Sequence, residues 1–177
     1  MSPPRHTLIL GGARSGKSAL AERWARASGH AVNYIATARI GDDEMAARIA
    51  HHRARRPADW ACVETPIELA ATLARHAAAD RCLLVDCLTL WLSNLLIDAE
   101  GTAFERERKA LLDTLPGLPG EILMVSNEVG CGVVPMGELS RRFVDEAGRL
   151  HQALAERCGR VVFVAAGLPL ALKGSLP

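Results

Sequence analysis

The chain has 177 residues, of which 49% are hydrophobic and 4% aromatic, and its formal net charge is +1. That length and apolar content suffice for one real core, so a single domain over residues 1–177 is expected. A nearly neutral chain carries no global field for nucleic acid or an anionic membrane, and so few rings argue against a single-strand stacking platform.

In chain order, "HTLIL" (residues 6–10) is a short apolar run that stops at two glycines and reads as a buried strand. "KSALAERWARA" (17–27) carries Leu20, Trp24 and Ala27 at helical spacing, and "AVNYIAT" (31–37) reads as a second strand. "DDEMAARIAHHRAR" (42–55) begins with acids and ends with bases, an order that suits the helix dipole, so a helix ending before Pro57 is expected. "IELAATLARHAA" (67–78) predicts a further helix, and "CLLVD" (82–86) a fully apolar strand ending in an acid. "LTLWLSNLLI" (88–97) is apolar nearly all round, which fits either a buried helix or a contact with another subunit. "AFERERKALLDTL" (103–115) is a charged helix, "PGLPG" (116–120) a loop, and "EILMVS" (121–126) and "RVVFVA" (160–165) are buried strands. Between those two strands, residues 139–157 place Leu139, Phe143, Ala147, Leu150 and Leu154 on one helix face.

Apolar strands alternating with helices predict an α/β fold with a mostly parallel sheet and helices on both faces. In such sheets ligands bind beyond the carboxyl ends of the strands, where "GGARSGKS", "DCLT" and "NEVGCG" begin. Five cysteines without a C-x-x-C pair argue against zinc and read as reduced thiols in a cytoplasm. The start of the chain lacks the long apolar run of a signal peptide, and no apolar stretch reaches about 18 residues, so no membrane span is expected.

Gly11, Gly12, Ala13, Arg14, Ser15, Gly16, Lys17 and Ser18 satisfy G-x-x-x-x-G-K-[ST] between a strand and a helix. Glycines let backbone N–H groups turn inward around phosphate, and the helix start adds its positive dipole end. Lys17 reaches the β- and γ-phosphates, Ser18 can ligate Mg²⁺, and Asp86, closing a neighbouring strand, is the acid expected to hold Mg²⁺ directly or through water. The fold class is therefore P-loop nucleoside triphosphate hydrolase-like.

"RIAHHRARRP" (48–57) gathers two adjacent histidines among arginines. On a helix, Met45, Ile49 and His52 share one face, and Arg48, His51 and Arg55 an adjacent one. His52 then faces protein, while His51 stands between two guanidinium groups. Flanking cations lower a histidine's pKa, leaving a neutral imidazole that is a competent nucleophile toward phosphorus. Spacing alone favours a solvated basic helix, and a double-stranded nucleic-acid patch is the weakest description because the rest of the chain is not basic.

"GGARSGKS", "YIAT" followed by "DDEMAARIAHHRARRPADW", "LLVDCLT" with "NLL", and "SNEVGCGVVP" before "RRFVDEAGRLHQ" occur in that order. Together these segments resemble the bifunctional adenosylcobinamide kinase / adenosylcobinamide-phosphate guanylyltransferase family of cobalamin biosynthesis, over nearly the whole chain. The resemblance implies phosphorylation of adenosylcobinamide with ATP or GTP. It then implies transfer of GMP from GTP, through a guanylylated histidine, to adenosylcobinamide phosphate, giving adenosylcobinamide-GDP.

The resemblance places that histidine at His51. It implies a nucleotide site formed by the P-loop, by Thr37, Ala38 and Arg39 after the second strand, and by His52, Arg53, Ala54 and Arg55. Glu64 and Asp86 are the acids for base or ribose contact and for Mg²⁺, with the duties not separated. Asn127 and Glu128 end a strand on the same rim and are expected to position the cobinamide or activate its hydroxyl. A homotrimer with sites near subunit contacts is also implied. The P-loop serves the γ-phosphoryl group while His51 must reach the α-phosphorus, so either GTP takes two poses or the His51 segment moves. Movement, hinged at the glycine of "RIGDDEM" (39–45), is the expectation. The rival readings are a P-loop kinase of another small metabolite, which leaves His51 unused, and a nucleotide-gated interaction module.

Overall fold

The computed structural model describes residues 6–39, 57–98 and 102–177. The elements are β1 (His6–Gly11), α1 (Lys17–Ala27), β2 (Ala31–Ala36), β3 (Ala61–Glu64), α2 (Leu69–His76), β4 (Arg81–Asp86), α3 (Leu88–Ile97), α4 (Thr102–Thr114), a 3-10 turn (Leu115–Gly117), β5 (Glu121–Asn127), α5 (Glu138–Arg157), β6 (Arg160–Ala165) and β7 (Leu168–Lys173). The helix expected over 42–55 lies outside the described residues, apart from its neighbour Pro57.

The strands form one seven-stranded sheet in the order β3-β2-β4-β5-β1-β6-β7. Every neighbouring pair is parallel except β6 with β7. The parallel strands need both faces covered, which is why they read as continuous apolar runs rather than alternating ones. Alternation still sorts their side chains: Leu8 and Leu10 of β1 enter the layer under α2, α3, α4 and α5, while Ile9 enters the layer under α1. The sheet is thus the mostly parallel, doubly covered one expected from the sequence.

The open choice at residues 88–97 resolves toward the core. Leu88, Trp91, Leu92 and Leu95 are fully buried on α3, and Trp91 Nε1 donates to the Ile67 carbonyl at 2.7 Å. Burying such large side chains stabilises by about 1.5–3 kcal/mol each, so α3 belongs to the subunit's own core.

The apolar stripe over 139–157 is buried only from Ala147 onward; Leu139 is exposed and Phe143 half-buried. β7 was not foreseen. Its Pro169 suits an edge strand, where a missing N–H costs no ladder bond, and its exposed Leu168, Leu170 and Leu172 do not mark a buried strand.

Candidate active site

The carboxyl ends of the strands form one rim. Register aligns Glu64 with Ala36, Ala36 with Asp86, and Gly11 with both Asn127 and Val164. The P-loop opens from β1, near the middle of this rim, and closes into α1.

Its glycines are required by geometry. A Cβ on Gly11 would meet Ser15 Oγ and the Val164 carbonyl, both at 2.5 Å. Gly16 has φ +96°, and a Cβ there would meet Gly167 Cα at 3.1 Å. Arg14 also takes positive φ, 57°. The loop closes with Ser15 N–H donating to the Gly12 carbonyl at 3.2 Å, and the Ser15 carbonyl accepts from Gly167 N–H at 2.8 Å. The tip of the β6–β7 hairpin is therefore part of the P-loop's support.

Lys17 is buried, and its ammonium donates to the Gly12 carbonyl at 2.9 Å. Burial pulls its pKa below the ordinary lysine value, opposed by the Cys87 thiol and the Asp86 carboxylate. Burial and Asp86 together push the Cys87 thiol up to about 11, so it is an uncharged neighbour near neutral pH.

Asp86 is half-buried at the end of β4, and Tyr34 O–H of β2 donates to its Oδ2 at 2.9 Å. Ser18 and Asp86 are hard oxygen donors flanking Lys17. That set fits Mg²⁺, which keeps several waters and takes phosphate oxygens, needing only one or two protein ligands. Among the described residues there is no cluster of three or more His, Cys, Asp or Glu able to hold a metal ion.

Thr37 is buried and its hydroxyl is engaged by Cys87, donating to the carbonyl at 2.7 Å and accepting from the N–H at 3.0 Å. Its carbonyl accepts from Asn94 Nδ2 at 2.8 Å. Thr37 thus pins the ends of β2 and β4 together. Ala38 is half-buried beside it, and exposed Arg39 faces Asp98 at 3.7 Å. Glu64 is exposed at the end of edge strand β3, four strand spacings from β1, or roughly 19 Å. Asp86 is two spacings from β1. The structure brings Asp86 to the P-loop and keeps Glu64 away from it. His51, His52, Arg53, Ala54 and Arg55 lie outside the described residues.

Asn127 and Glu128 are half-buried where β5 meets the P-loop, with Glu128 N–H donating to the Gly11 carbonyl at 2.9 Å. Beneath them lies a polar network that the sequence reading passed over: Thr89, Ser126 and His151. Ser126 Oγ lies 2.8 Å from His151 Nε2 and 3.3 Å from Thr89 Oγ1. The available signal was His151 itself, four residues after Ala147 and so on the buried face of α5.

A sequence model described as "Cobinamide kinase / cobinamide phosphate guanyltransferase" matches residues 7–172. The chain belongs to this family. It is 67% identical to the "Bifunctional adenosylcobalamin biosynthesis protein CobP" of Pseudomonas aeruginosa, covering 94% of this chain and 96% of that one. It is 38% identical to the "Bifunctional adenosylcobalamin biosynthesis protein CobU" of Escherichia coli K12, over 94% and 98% of the two chains. Among solved structures, a Pyrococcus horikoshii OT3 protein studied as PH0250 superposes with a TM-score of 0.55 at 9% identity, over 99% of this chain and 89% of that one. That likeness shows a shared fold alone. The family match along both the P-loop and the His51 segment sets a bifunctional kinase and guanylyltransferase above a kinase of some other metabolite.

Proposed function

We propose that this chain is a bifunctional enzyme of adenosylcobalamin biosynthesis whose one domain carries out both half-reactions on a shared rim. The carrying observation is the closed phosphate cradle with buried Lys17 facing Asp86, in a chain that matches the kinase/guanylyltransferase family over residues 7–172. In the kinase reaction, the cradle N–H groups and Lys17 hold the β- and γ-phosphates of ATP or GTP. Adenosylcobinamide lies over Asn127 and Glu128 with its hydroxyl toward the γ-phosphorus. The hydroxyl oxygen bonds to phosphorus, the bond to the bridging oxygen breaks, nucleoside diphosphate leaves, and the Glu128 carboxylate accepts the hydroxyl's proton. Mg²⁺ bound with the nucleotide would be held by Ser18 and Asp86 and would neutralise phosphate charge.

In the transferase reaction, an imidazole nitrogen of His51 attacks the α-phosphorus of GTP and pyrophosphate leaves. A phosphate oxygen of adenosylcobinamide phosphate then attacks the same phosphorus, releasing His51 and giving adenosylcobinamide-GDP. His52, Arg53, Ala54, Arg55 and Arg39 contribute to this second nucleotide pose, and the distance of Glu64 from the P-loop supports its serving ribose or base there. The movement of the His51 segment between poses remains part of the reading.

The enzyme works in the cytoplasm, where its nucleotide substrates are, and as a homotrimer. Among the described residues, no helix is long and apolar enough to cross a membrane. Exposed Leu168, Leu170 and Leu172 on edge strand β7 favour that strand, rather than α3, as the subunit contact. The hairpin's Gly167 then links the contact to the P-loop.

The test supplies purified protein with adenosylcobinamide and GTP and follows corrinoids by mass. The reading expects the phosphate and then the GDP derivative from the native chain, and the phosphate alone from His51→Asn. Phosphorylation without any GDP derivative from the native chain would leave the plain kinase.

A further inference from the structure

The Thr89–Ser126–His151–Glu128 network has a direction. Asn127 N–H donates to Thr89 Oγ1 at 2.7 Å. Thr89 and Ser126 hydroxyls are 3.3 Å apart, Ser126 Oγ is 2.8 Å from His151 Nε2, and His151 Nδ1 is 3.6 Å from Glu128 Oε2. Two proton arrangements satisfy the short contacts. In one, Thr89 donates to Ser126, Ser126 donates to Nε2, and the ring proton sits on Nδ1 facing Glu128. In the other, Nε2–H donates to Ser126, and the bare Nδ1 lone pair opposes a carboxylate oxygen.

The second sets two acceptors against each other around a ring that is only 6% exposed. Such opposition is costly where water cannot intervene. The first arrangement therefore wins. Burial holds the His151 pKa below the ordinary histidine value, with Glu128 opposing, so the ring stays neutral and one tautomer must be chosen.

Glu128 is consequently fixed from three sides. Its Oε1 accepts from Gly130 N–H at 2.6 Å, its Oε2 faces His151 Nδ1, and its own N–H is tied to the P-loop carbonyl of Gly11. At 3.6 Å the Nδ1 contact is electrostatic orientation rather than a formed hydrogen bond. Among the described residues no partner meets full hydrogen-bond geometry at Nδ1, although it is shielded from water.

We propose that His151 is a positioning residue for phosphoryl transfer, its Nδ1–H aiming the Glu128 carboxylate at the acceptor hydroxyl beside the P-loop. This rests on the reading that Glu128 meets the acceptor. The relay built from Thr89 and Ser126 serves only to place the ring proton on the correct nitrogen.

Two substitutions separate this from a merely structural histidine. His151→Asn keeps an N–H donor where Nδ1 stands and loses the reach to Ser126; His151→Gln keeps the reach to Ser126 and loses the donor toward Glu128. With adenosylcobinamide and ATP, Asn is expected to keep kcat within about threefold of native, while Gln lowers it about tenfold or more at unchanged KM for ATP. Both variants should take up label from [α-³²P]GTP like the native enzyme. Equal kinase rates in the two variants, or the reverse order, would overturn the proposal. A Glu128→Gln variant with native kinase activity would instead remove the reading of Glu128 beneath it. Independently of any variant, ¹⁵N NMR of the native protein should show His151 protonated on Nδ1, and protonation on Nε2 alone would contradict the relay.

Discussion

Lys17 carries the densest chemistry of any described residue. Its cation is buried, held by the Gly12 carbonyl, and opposed in its desolvation by Asp86 and Cys87. Lys17→Ala is expected to lower the kinase kcat by about 10²–10³-fold, the scale of losing a preorganised donor at developing charge. Steady-state kinetics with adenosylcobinamide and ATP check this. Because burial lowers its pKa, the charge is lost as pH rises through a value below the ordinary 10.5. The alkaline limb of the nucleotide-binding profile should therefore fall earlier than a free lysine would, as titration calorimetry across pH would show.

The P-loop residues were legible because the loop is local: cradle, cation and Mg²⁺ hydroxyl lie within eight consecutive positions, 11–18. The network under Glu128 was not. Ser126 meets Thr89 37 positions away and His151 25 positions away, and only the parallel sheet brings them together. Thr37, which the resemblance implies at the nucleotide site, has its hydroxyl used on both sides by Cys87, the residue that follows β4.

Among elements, the hairpin that follows β6 governs the P-loop from outside. Gly16 takes φ +96° and lies against Gly167, so Gly16→Ala adds both backbone strain and a 3.1 Å contact. The variant should lose about 1–3 kcal/mol of stability and weaken nucleotide binding, measured by denaturant titration and by equilibrium dialysis of GTP. β1 contributes a different sensitivity. Its His6 is buried, and among the described residues neither ring nitrogen meets a partner at full hydrogen-bond geometry. Burial lowers its pKa, partly offset by the backbone near Leu115.

The unfolded chain takes up a proton at the ordinary 6.5 and the folded chain only at lower pH. Between those values the unfolded state binds more protons, so stability is full above 6.5 and is lost as pH falls through the window. His151 adds a second contribution of the same sign. Thermal melting should thus drop on acidification from about pH 7.5 to about pH 5.5, and His6→Leu should make that slope shallower. β7 escaped the sequence reading because edge strands do not carry the continuous apolar signal of central ones. The helices were legible in their cores, where α1 and α3 follow the expected bounds, 17–27 and 88–97.

At the scale of the molecule, strand order decides what can act together. The sequence alternation predicted a doubly covered parallel sheet but could not say that Glu64 would sit on the edge strand and Asp86 near the centre. Only pairing fixes that order, and with it the different distances of the two expected acids from the phosphate cradle. The same order leaves β7 at the opposite edge, exposing three leucines. Leu170→Asp should dissociate the proposed trimer with little loss of subunit stability, since the side chain is 61% exposed in the single chain. Light scattering after gel filtration reads this: a monomer supports the contact, and an unchanged trimer moves it elsewhere.

The proposed transferase reaction, and with it the second activity of the chain, rests on His51 becoming guanylylated. The most direct measurement is intact-mass and peptide mapping of the protein after incubation with GTP and Mg²⁺ without a corrinoid. One acid-labile GMP on the peptide containing His51, discharged by adenosylcobinamide phosphate and missing from His51→Asn, is the predicted result. A native protein that turns over adenosylcobinamide phosphate and GTP while never carrying GMP on that peptide would contradict the account.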